Sequence, residues 1–396
     1  MLLALRRCSR TTRLPSLCPW VSRKFTVLAL ESSADDTCAA VVTSDRQIMS
    51  NVVIKQLHRH EVYGGIEPIV AMSEHQKNMP SAIRQALDQA KLEVTDVDGI
   101  AFTRGPGMPG CLSVCLNAAK NLACALRKPL IGVHHMQAHA LTAILTARSA
   151  EEMPIFPFLT LLISGGHTLI VLVLGPQSFR ILASTVDEAV GAVIDAAARS
   201  VRVKWDGLAP GAALEALARD GLADVHEQDI PAIPRPNLPF PGELKFSFAG
   251  LHSWVDRYVL THDPNTRKRH KTLYLSNPHR VAVARVFQDA AFRMLEDKVV
   301  LALKHCDPDT VPIQHVVVSG GVGSNLTFRA RLRSALRSAF PDRDIKLICP
   351  PPELCTDNAA MIGWASMHRF LAGESDDYAI RHIKKWSIEQ LDDLVA

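Results

Sequence analysis

A strand, a polar turn and a second strand occur together twice in this chain of 396 residues. The first unit covers residues 25–43 and turns through the acidic segment Glu31–Thr37. The second covers residues 159–174 and turns through Ser164–His167. Elsewhere, apolar strand patterns alternate with amphipathic helix patterns, which is typical of α/β folds. The repeated unit therefore predicts a duplicated α/β fold with two subdomains and a cleft between them.

This interpretation divides the chain into four segments. They are a leader at residues 1–24, a first half at 25–150, a second half at 151–355 with a proline-rich insertion at 226–280, and a C-terminal helix at 356–396 that packs back on the cleft. Five prolines between Pro231 and Pro241 exclude regular helix in that part of the insertion.

The leader carries five arginines and one lysine and no acidic residue, with Ser, Thr, Leu and Val interleaved. This composition is typical of a mitochondrial transit peptide and predicts a matrix location, whereas the alternative is a disordered basic tail. The rest of the chain holds 38 of the 44 basic residues against 40 acidic ones. Nucleic acid would therefore need a local basic patch, for which Arg267–Lys271 and Arg329–Arg337 are candidates. Solvated surface is the alternative for both.

Three classes of protein are disfavoured. The nine cysteines form no C-x-x-C pair, which argues against a disulfide framework or a cysteine-rich zinc module, and Cys111 and Cys115 fit buried positions. The longest apolar stretch, Ile155–Leu174, has Ser164–His167 at its centre, so two strands around a turn fit better than a membrane span.

His135 and His139 are four residues apart at the start of a predicted helix, so their imidazoles share one face. Asp357, at another predicted helix start, is the candidate third ligand of a Zn²⁺ or Fe²⁺ site. The spacing alone favours the alternative, ordinary surface histidines. Met136 follows His135 where an H-E-x-x-H protease needs its glutamate, so that class is disfavoured.

Several polar loops follow strands. Gly105–Gly110 matches G-x-G-x-x-G, but the next acidic residue after it is Glu151, so we reject a dinucleotide site of that type. Leu162–Gly166, Ser319–Asn325 and Glu31–Thr37 could bind a nucleotide, although each alone is more often an ordinary turn. Glu188 and Asp195 are seven residues apart on a predicted helix, where periodicity alone favours a solvated face.

Seven motifs occur in one order along the chain. They are Glu31-Ser-Ser-x-Asp-Asp-Thr37, Gly105-Pro-Gly-Met-x-Gly110, His134-His-Met-x-x-His139, Ser164-Gly-Gly-His-Thr168, Phe246-Ser-Phe-x-Gly-Leu251, Ser319-Gly-Gly-Val-x-Ser-Asn325 and Cys355-Thr-Asp-Asn358. Together they resemble the tRNA N6-adenosine threonylcarbamoyltransferase family over Phe25 to Trp364. With the leader, the chain resembles the mitochondrial branch of that family.

The resemblance implies the duplicated actin/Hsp70/hexokinase-like ATPase fold. It implies transfer of a threonylcarbamoyl group from threonylcarbamoyl-AMP, made by a separate synthase, to N6 of the adenosine 3′ to the anticodon in ANN-reading tRNAs. It also implies a homodimer and one divalent metal ion per subunit. The residues that carry over are His135, His139 and Asp357 for the metal, Asp35 near the reacting group, and Leu162, Ile163, Ser164, Gly165, Gly166, Asp195, Gly211 and Asn325 for the substrate.

The chain departs from the family pattern at a few positions. Asp36 replaces a common Glu, and Pro210 precedes Gly211 where the family has two glycines. The alternatives to the transferase are an ATP-dependent small-molecule kinase or ATPase of the same fold and a non-catalytic nucleotide-binding scaffold.

Overall fold

The computed structural model describes residues 24–262 and 275–394. The strands are β1 (Thr26–Glu31), β2 (Thr37–Thr43), β3 (Ile48–Ile54), β4 (Gly99–Gly105), β5 (Leu130–His134), β6 (Phe158–Ile163), β7 (Thr168–Val173), β8 (Phe179–Thr185), β9 (Lys245–Phe246), β10 (His315–Ser319) and β11 (Lys346–Ile348). The helices are α1 (Leu57–His60), α2 (Pro68–Ala90), α3 (Pro109–Leu126), α4 (His135–Thr146), α5 (Val190–Ser200), α6 (Pro210–Asp220), α7 (Ala249–His262), α8 (Asn277–His305), α9 (Leu326–Ala339), α10 (Pro352–Cys355) and α11 (Ala359–Leu371).

Two mixed sheets repeat one topology. The first has the strand order β3-β2-β1-β4-β5 and the second β11-β10-β6-β7-β8-β9. In each sheet the first three strands in chain order pair antiparallel, and the next two full strands add in parallel on the other side of the first strand. The short strand β9 extends only the second sheet. This repetition confirms the duplicated α/β fold predicted from the two strand–turn–strand units.

Both faces of the first sheet are covered, which explains why β1 and β2 are continuous apolar runs. Helices α2 and α3 cover one face, where Leu28, Leu30 and Phe102 are buried. Helices α4 and α11 cover the other face, and their apolar side chains also pack on the second sheet through Phe158 and Val317. The two halves therefore meet around α4 and α11, which places the start of each helix at the junction between the sheets.

Two helices begin at a different residue from the one that the sequence predicts, because a side chain bonds to the backbone near the start of each helix. The sequence pattern predicts a helix over about 73–91. Helix α2 begins earlier, at Pro68, because the Glu67 carboxylate accepts a hydrogen bond from Val70 N at 2.8 Å. Helix α5 begins at Val190, because Asp187 accepts from Phe248 N at 2.9 Å and holds the preceding residues outside the helix. Glu188 thus precedes α5 and does not share a helical face with Asp195, contrary to the prediction from their spacing.

The proline-rich stretch between Pro231 and Pro241 forms no helix, as predicted, although α7 lies in the later part of the same segment. Cys111 and Cys115 are fully buried, also as predicted. Within the described residues, no helix is both long and apolar enough to cross a bilayer. The leader at 1–24 falls outside the described residues except for Lys24, and so does the basic run Arg267–Lys271.

After α11, residues 372–394 form a segment that contains no α-helix or strand and ends in a 3₁₀ helix at Ile388–Leu394. We call this segment the C-terminal strap. It follows β5, where Asp376 N donates to Leu130 O at 2.7 Å, and β4, where Ile383 N donates to Arg104 O at 2.8 Å. It then reaches the second sheet, where Ile181 N donates to the Glu389 carboxylate at 2.8 Å. The strap therefore links the two halves on one side of the cleft.

Candidate metal centre

His134, the first histidine of the His134-His-Met-x-x-His139 motif, has a structural role. His134 ends β5, and its Nδ1 accepts hydrogen bonds from Met136 N at 3.1 Å and Gln137 N at 3.4 Å, capping α4. Its Nε2 lies 3.1 Å from the carbonyl oxygen of Trp386 and donates to it. Burial lowers the pKa of His134 to about 3, so the ring is neutral. This cap fixes the start of α4 and hence the directions of the next two histidines.

The three predicted metal ligands lie together at the junction of the halves. The Nε2 atoms of His135 and His139 lie 3.5 and 3.2 Å from Oδ1 of Asp357. The two rings cross at 86° with centroids 4.7 Å apart. Asp357 lies in the short turn before α11, which Asn358 caps by accepting from Met361 N. Donor atoms of all three side chains lie within 4.8 Å of one another.

A fully buried carboxylate behind His135 completes this arrangement. Glu31, at the end of β1, has its Oε2 3.2 Å from Nδ1 of His135 and also accepts from the Thr103 hydroxyl. The Ser33 hydroxyl lies 3.3 Å from the same Nδ1. A carboxylate on one ring nitrogen orients the other nitrogen of a metal-binding histidine. From the sequence, the Glu31–Thr37 turn is either a nucleotide-binding loop or an ordinary turn, and the sequence pattern carries no signal for the contact between Glu31 and His135.

The charges around the cluster favour a cation. Burial alone would lower the pKa of His135, but Asp357 and Glu31 outweigh it and raise this pKa to about 9. Burial would raise the pKa of Asp357, but His135 and His139 lower it to about 2. Nδ1 of His139 is buried without a hydrogen-bond partner among the described residues. Two imidazole nitrogens converging on one carboxylate, inside an anionic pocket, fit a divalent metal ion.

Two half-buried carboxyl groups lie in the same turn as Glu31. Burial, followed by repulsion from Asp357, raises the pKa of Asp35 to about 6. Burial, followed by repulsion from Asp35, raises the pKa of Asp36 to about 8. Asp35 can therefore gain or lose a proton close to neutral pH, as a general acid or base must.

The turn between β6 and β7 in the second half is open, whereas the turn between β1 and β2 in the first half is packed. A side chain at Gly165 or Gly166 would meet nothing within 4 Å. Leu162 and Ile163, which precede the turn, are fully buried in the two cores, so only backbone there could face a ligand. Gly320 packs against the Ile163 carbonyl with φ +96°, a close approach that requires glycine.

The remaining predicted substrate residues lie on adjacent elements. Oδ1 of Asp195 accepts from Gly211 N at 3.1 Å, and burial raises the pKa of Asp195 to about 6. Pro210 is the first residue of α6, where proline is favourable, so the Pro210-Gly211 departure keeps this contact. Asn325 caps α9 through its side-chain oxygen, which leaves its amide NH₂ for a ligand.

Two arginines of the basic run Arg329–Arg337 bond to other residues of the protein. Arg329 donates to the carbonyl oxygens of Gly323 and Pro350. Arg331 pairs with Glu296 and Asp289. These two arginines are therefore poor candidates for phosphate contacts with RNA.

The family model for tRNA N6-adenosine threonylcarbamoyltransferase (TsaD) matches residues 47–364. The chain belongs to this family. It is 39% identical to the mitochondrial tRNA N6-adenosine threonylcarbamoyltransferase of Schizosaccharomyces pombe, over 93% of this chain and 88% of that protein. It is 36% identical to the enzyme of Syntrophus aciditrophicus, over 92% and 98% of the two chains.

Its activity is that of the family, the transfer of threonylcarbamoyl to N6 of adenosine in tRNA, and tRNA is its substrate. The fold agrees with the actin/Hsp70/hexokinase-like class. Full-length HypF, solved in a phosphate- and nucleotide-bound form, superposes with a TM-score of 0.50 at 14% identity, over 89% of this chain and 56% of that chain. The kinase, scaffold and protease alternatives are left without support.

Proposed function

We propose that this enzyme modifies the adenosine 3′ to the anticodon of ANN-reading mitochondrial tRNAs, with threonylcarbamoyl-AMP from a separate synthase as donor. The similarity to the mitochondrial S. pombe enzyme and the acid-free basic leader support the mitochondrial substrate. We infer a location in the matrix on the same grounds. The family resemblance leads us to expect a homodimer. We also propose the division of the chain into the four segments given above, the last of which consists of helix α11 and the C-terminal strap and not of one helix.

The buried convergence of His135, His139 and Asp357 is the observation that carries this proposal. One divalent Zn or Fe ion per subunit would be held by these three side chains. When bound, it supplies a Lewis acid for the donor carbonyl. Glu31 holds His135 in the orientation that binding requires, through its bond to Nδ1.

The glycine turn and its neighbours would hold the adenylate. The open space beside Gly165 and Gly166 leaves room for a phosphate against backbone N–H groups. Asp195 and the free amide of Asn325 supply hydrogen-bonding groups suited to ribose hydroxyls.

The chemical step forms a bond between N6 and the carbamoyl carbon and breaks the bond from that carbon to the phosphate oxygen, so AMP leaves with the electron pair. N6 must lose one proton in this step. We assign that proton to Asp35, whose pKa of about 6 leaves the carboxylate mostly ionised at neutral pH.

Reconstitution tests the proposed function. The purified chain is incubated with unmodified ANN-reading mitochondrial tRNA and enzymatically made threonylcarbamoyl-AMP, and nucleosides are measured by mass. His139→Ala runs beside it, with His305→Ala at the exposed end of α8 as a matched control. We expect product and bound metal with the wild type and the control, and loss of both with His139→Ala.

Product from His139→Ala at the wild-type rate would contradict the metal assignment. Modification of cytosolic but not mitochondrial tRNA would contradict the proposed substrate and leave the transferase activity intact.

A further inference from the structure

A large cavity beside the metal centre has no assigned occupant. Its volume is about 860 Å³, within the range of small-ligand pockets. His167 lines it from the glycine turn that follows β6, where its backbone N donates to the Ser164 hydroxyl at 3.2 Å. Gly107, also in the wall, packs against Ser33, whose hydroxyl lies 3.3 Å from His135. The cavity therefore lies against the reacting centre.

The wall of the cavity is suited to a flat apolar group. It is formed mainly by prolines, methionines and one isoleucine, from the start of α2 and the loop before α3, namely Pro68, Ile69, Met72, Pro106, Met108 and Pro109. Ile69 is exposed over 71% of its surface, at the start of α2. RNA-binding proteins accept unstacked bases on such surfaces, because every base has an apolar face.

The C-terminal strap provides the remaining wall and a positive charge. Lys384, Lys385 and Trp386 line the cavity. Both lysines are exposed, and neither side chain has an acidic partner among the described residues. Two lysines beside an apolar pocket match the chemistry of a base flanked by phosphates.

The strap is held firmly enough to act as a binding wall. Gly107 N donates to the Lys384 carbonyl at 3.4 Å, and His134 Nε2 donates to the Trp386 carbonyl. The Arg104 guanidinium lies 5.4 Å from the centre of the Trp386 ring. Gly105, with φ +151°, leaves space for the Ile383 carbonyl that any side chain would fill. The strap lies beyond residue 364, where the family match ends.

We propose that this cavity receives the target adenine of tRNA, unstacked from the anticodon loop, and that Lys384 and Lys385 bind the phosphates flanking it. The proposal rests on the proposed function and names where its acceptor binds. The adenine enters between the strap and the start of α2, so that N6 reaches the donor held at the metal centre. A base must leave the stack for such chemistry, as in other enzymes that act on nucleobases.

The lysine pair tests the phosphate contacts. We expect Lys384→Ala/Lys385→Ala to raise the KM for tRNA roughly tenfold, with an unchanged KM for threonylcarbamoyl-AMP and unchanged metal content. The slope of log affinity for tRNA against log salt should fall by about 1 to 2. Lys304→Ala/Lys346→Ala removes the same charge from exposed positions on α8 and β11 and should change none of these values.

The target base is tested with a tRNA that is abasic at the modified position. Wild-type protein should bind intact tRNA roughly 5- to 100-fold more tightly than abasic tRNA, the usual effect of one stacked base. Met72→Trp, which fills the cavity, should abolish this difference while the donor KM stays the same. The lysine double variant should weaken binding of both tRNAs equally.

Three results would overturn the proposal. They are an unchanged tRNA KM and salt slope in the lysine double variant, equal binding of intact and abasic tRNA by the wild type, and a raised donor KM in Met72→Trp, which would assign the cavity to the donor. Failure of the proposed function is separate, because wild-type protein would then form no modified adenosine with any of these tRNAs.

Discussion

The two halves of the molecule place different turns at the same position of the same topology. After β1 the turn holds Glu31 and Ser33, which are buried and contact His135. After β6 the turn holds Gly165 and Gly166, which are exposed and leave open space where a side chain would be. One half thus supplies charge and holds the metal ligands, and the other supplies space. Duplication of a backbone does not duplicate its chemistry.

Asp35→Asn removes the proposed proton acceptor from the acidic turn and should have the largest effect. We expect the rate of single-turnover transfer to fall roughly 10²- to 10⁴-fold with normal donor binding. For the wild type, kcat/KM should rise with pH through about 6, because Asp35 must be ionised to accept the proton. The variant should lose this inflection. Full activity in Asp35→Asn would contradict the assigned role.

Glu31→Gln tests whether the acidic turn acts on the metal through His135. Metal affinity or activity should fall roughly 10- to 100-fold, since the carboxylate that orients the imidazole is lost. Excess metal should restore part of the activity. Thr103→Val, which removes one hydrogen bond to Glu31 and keeps its charge, should have a smaller effect. Equal metal content in wild type and Glu31→Gln by mass spectrometry would show that the contact is only structural.

Gly165→Val tests the space in the glycine turn. The KM for threonylcarbamoyl-AMP should rise roughly tenfold, because the side chain enters the proposed phosphate site, while thermal stability stays within about 0.5 kcal/mol. Gly175→Val is the matched control, since Gly175 also lies in a hairpin turn with nothing within 4 Å of the added carbon. An equal donor KM in the two variants would place the adenylate elsewhere.

Asp36→Asn addresses the stability of the acidic turn. The folded protein holds the pKa of Asp36 at about 8, above its ordinary value of 3.8, so folding favours the protonated form. The contribution of Asp36 to the free energy of unfolding is therefore fully present below pH 3.8 and is lost as the pH rises towards 8. Because Asn stays neutral, the free energy of unfolding of the variant at pH 8 should exceed that of the wild type by about 1 to 3 kcal/mol. This difference should vanish near pH 4, where Asp36 is protonated in the wild type.

Denaturant unfolding at both pH values measures this difference. A gain of the same size at pH 4 and pH 8 would show that it arises from packing and not from ionisation.

Local patterns were sufficient for most strands and long helices. The sequence pattern predicts a helix over about 278–304 and a strand over 314–319, and α8 and β10 lie within one residue of these bounds, because each buries a regular apolar pattern. Strands β3 and β8 escaped prediction, since both are only partly buried and carry polar residues on their outer faces. Helix α6, which presents Gly211 to Asp195, was also missed, because its proline, glycine and alanine residues resemble a loop.

The sequence by itself determined the family, through seven ordered motifs, and the duplicated fold, through two repeated units. The spacing of His135 and His139 also determined that they share a helix face. Only the tertiary structure decided that Asp357 joins them and that Glu31 orients His135, while His134 serves as a cap. It alone placed the strap beside the cavity. Contacts between residues more than a hundred positions apart depend on how the sheets pack, which no local pattern encodes.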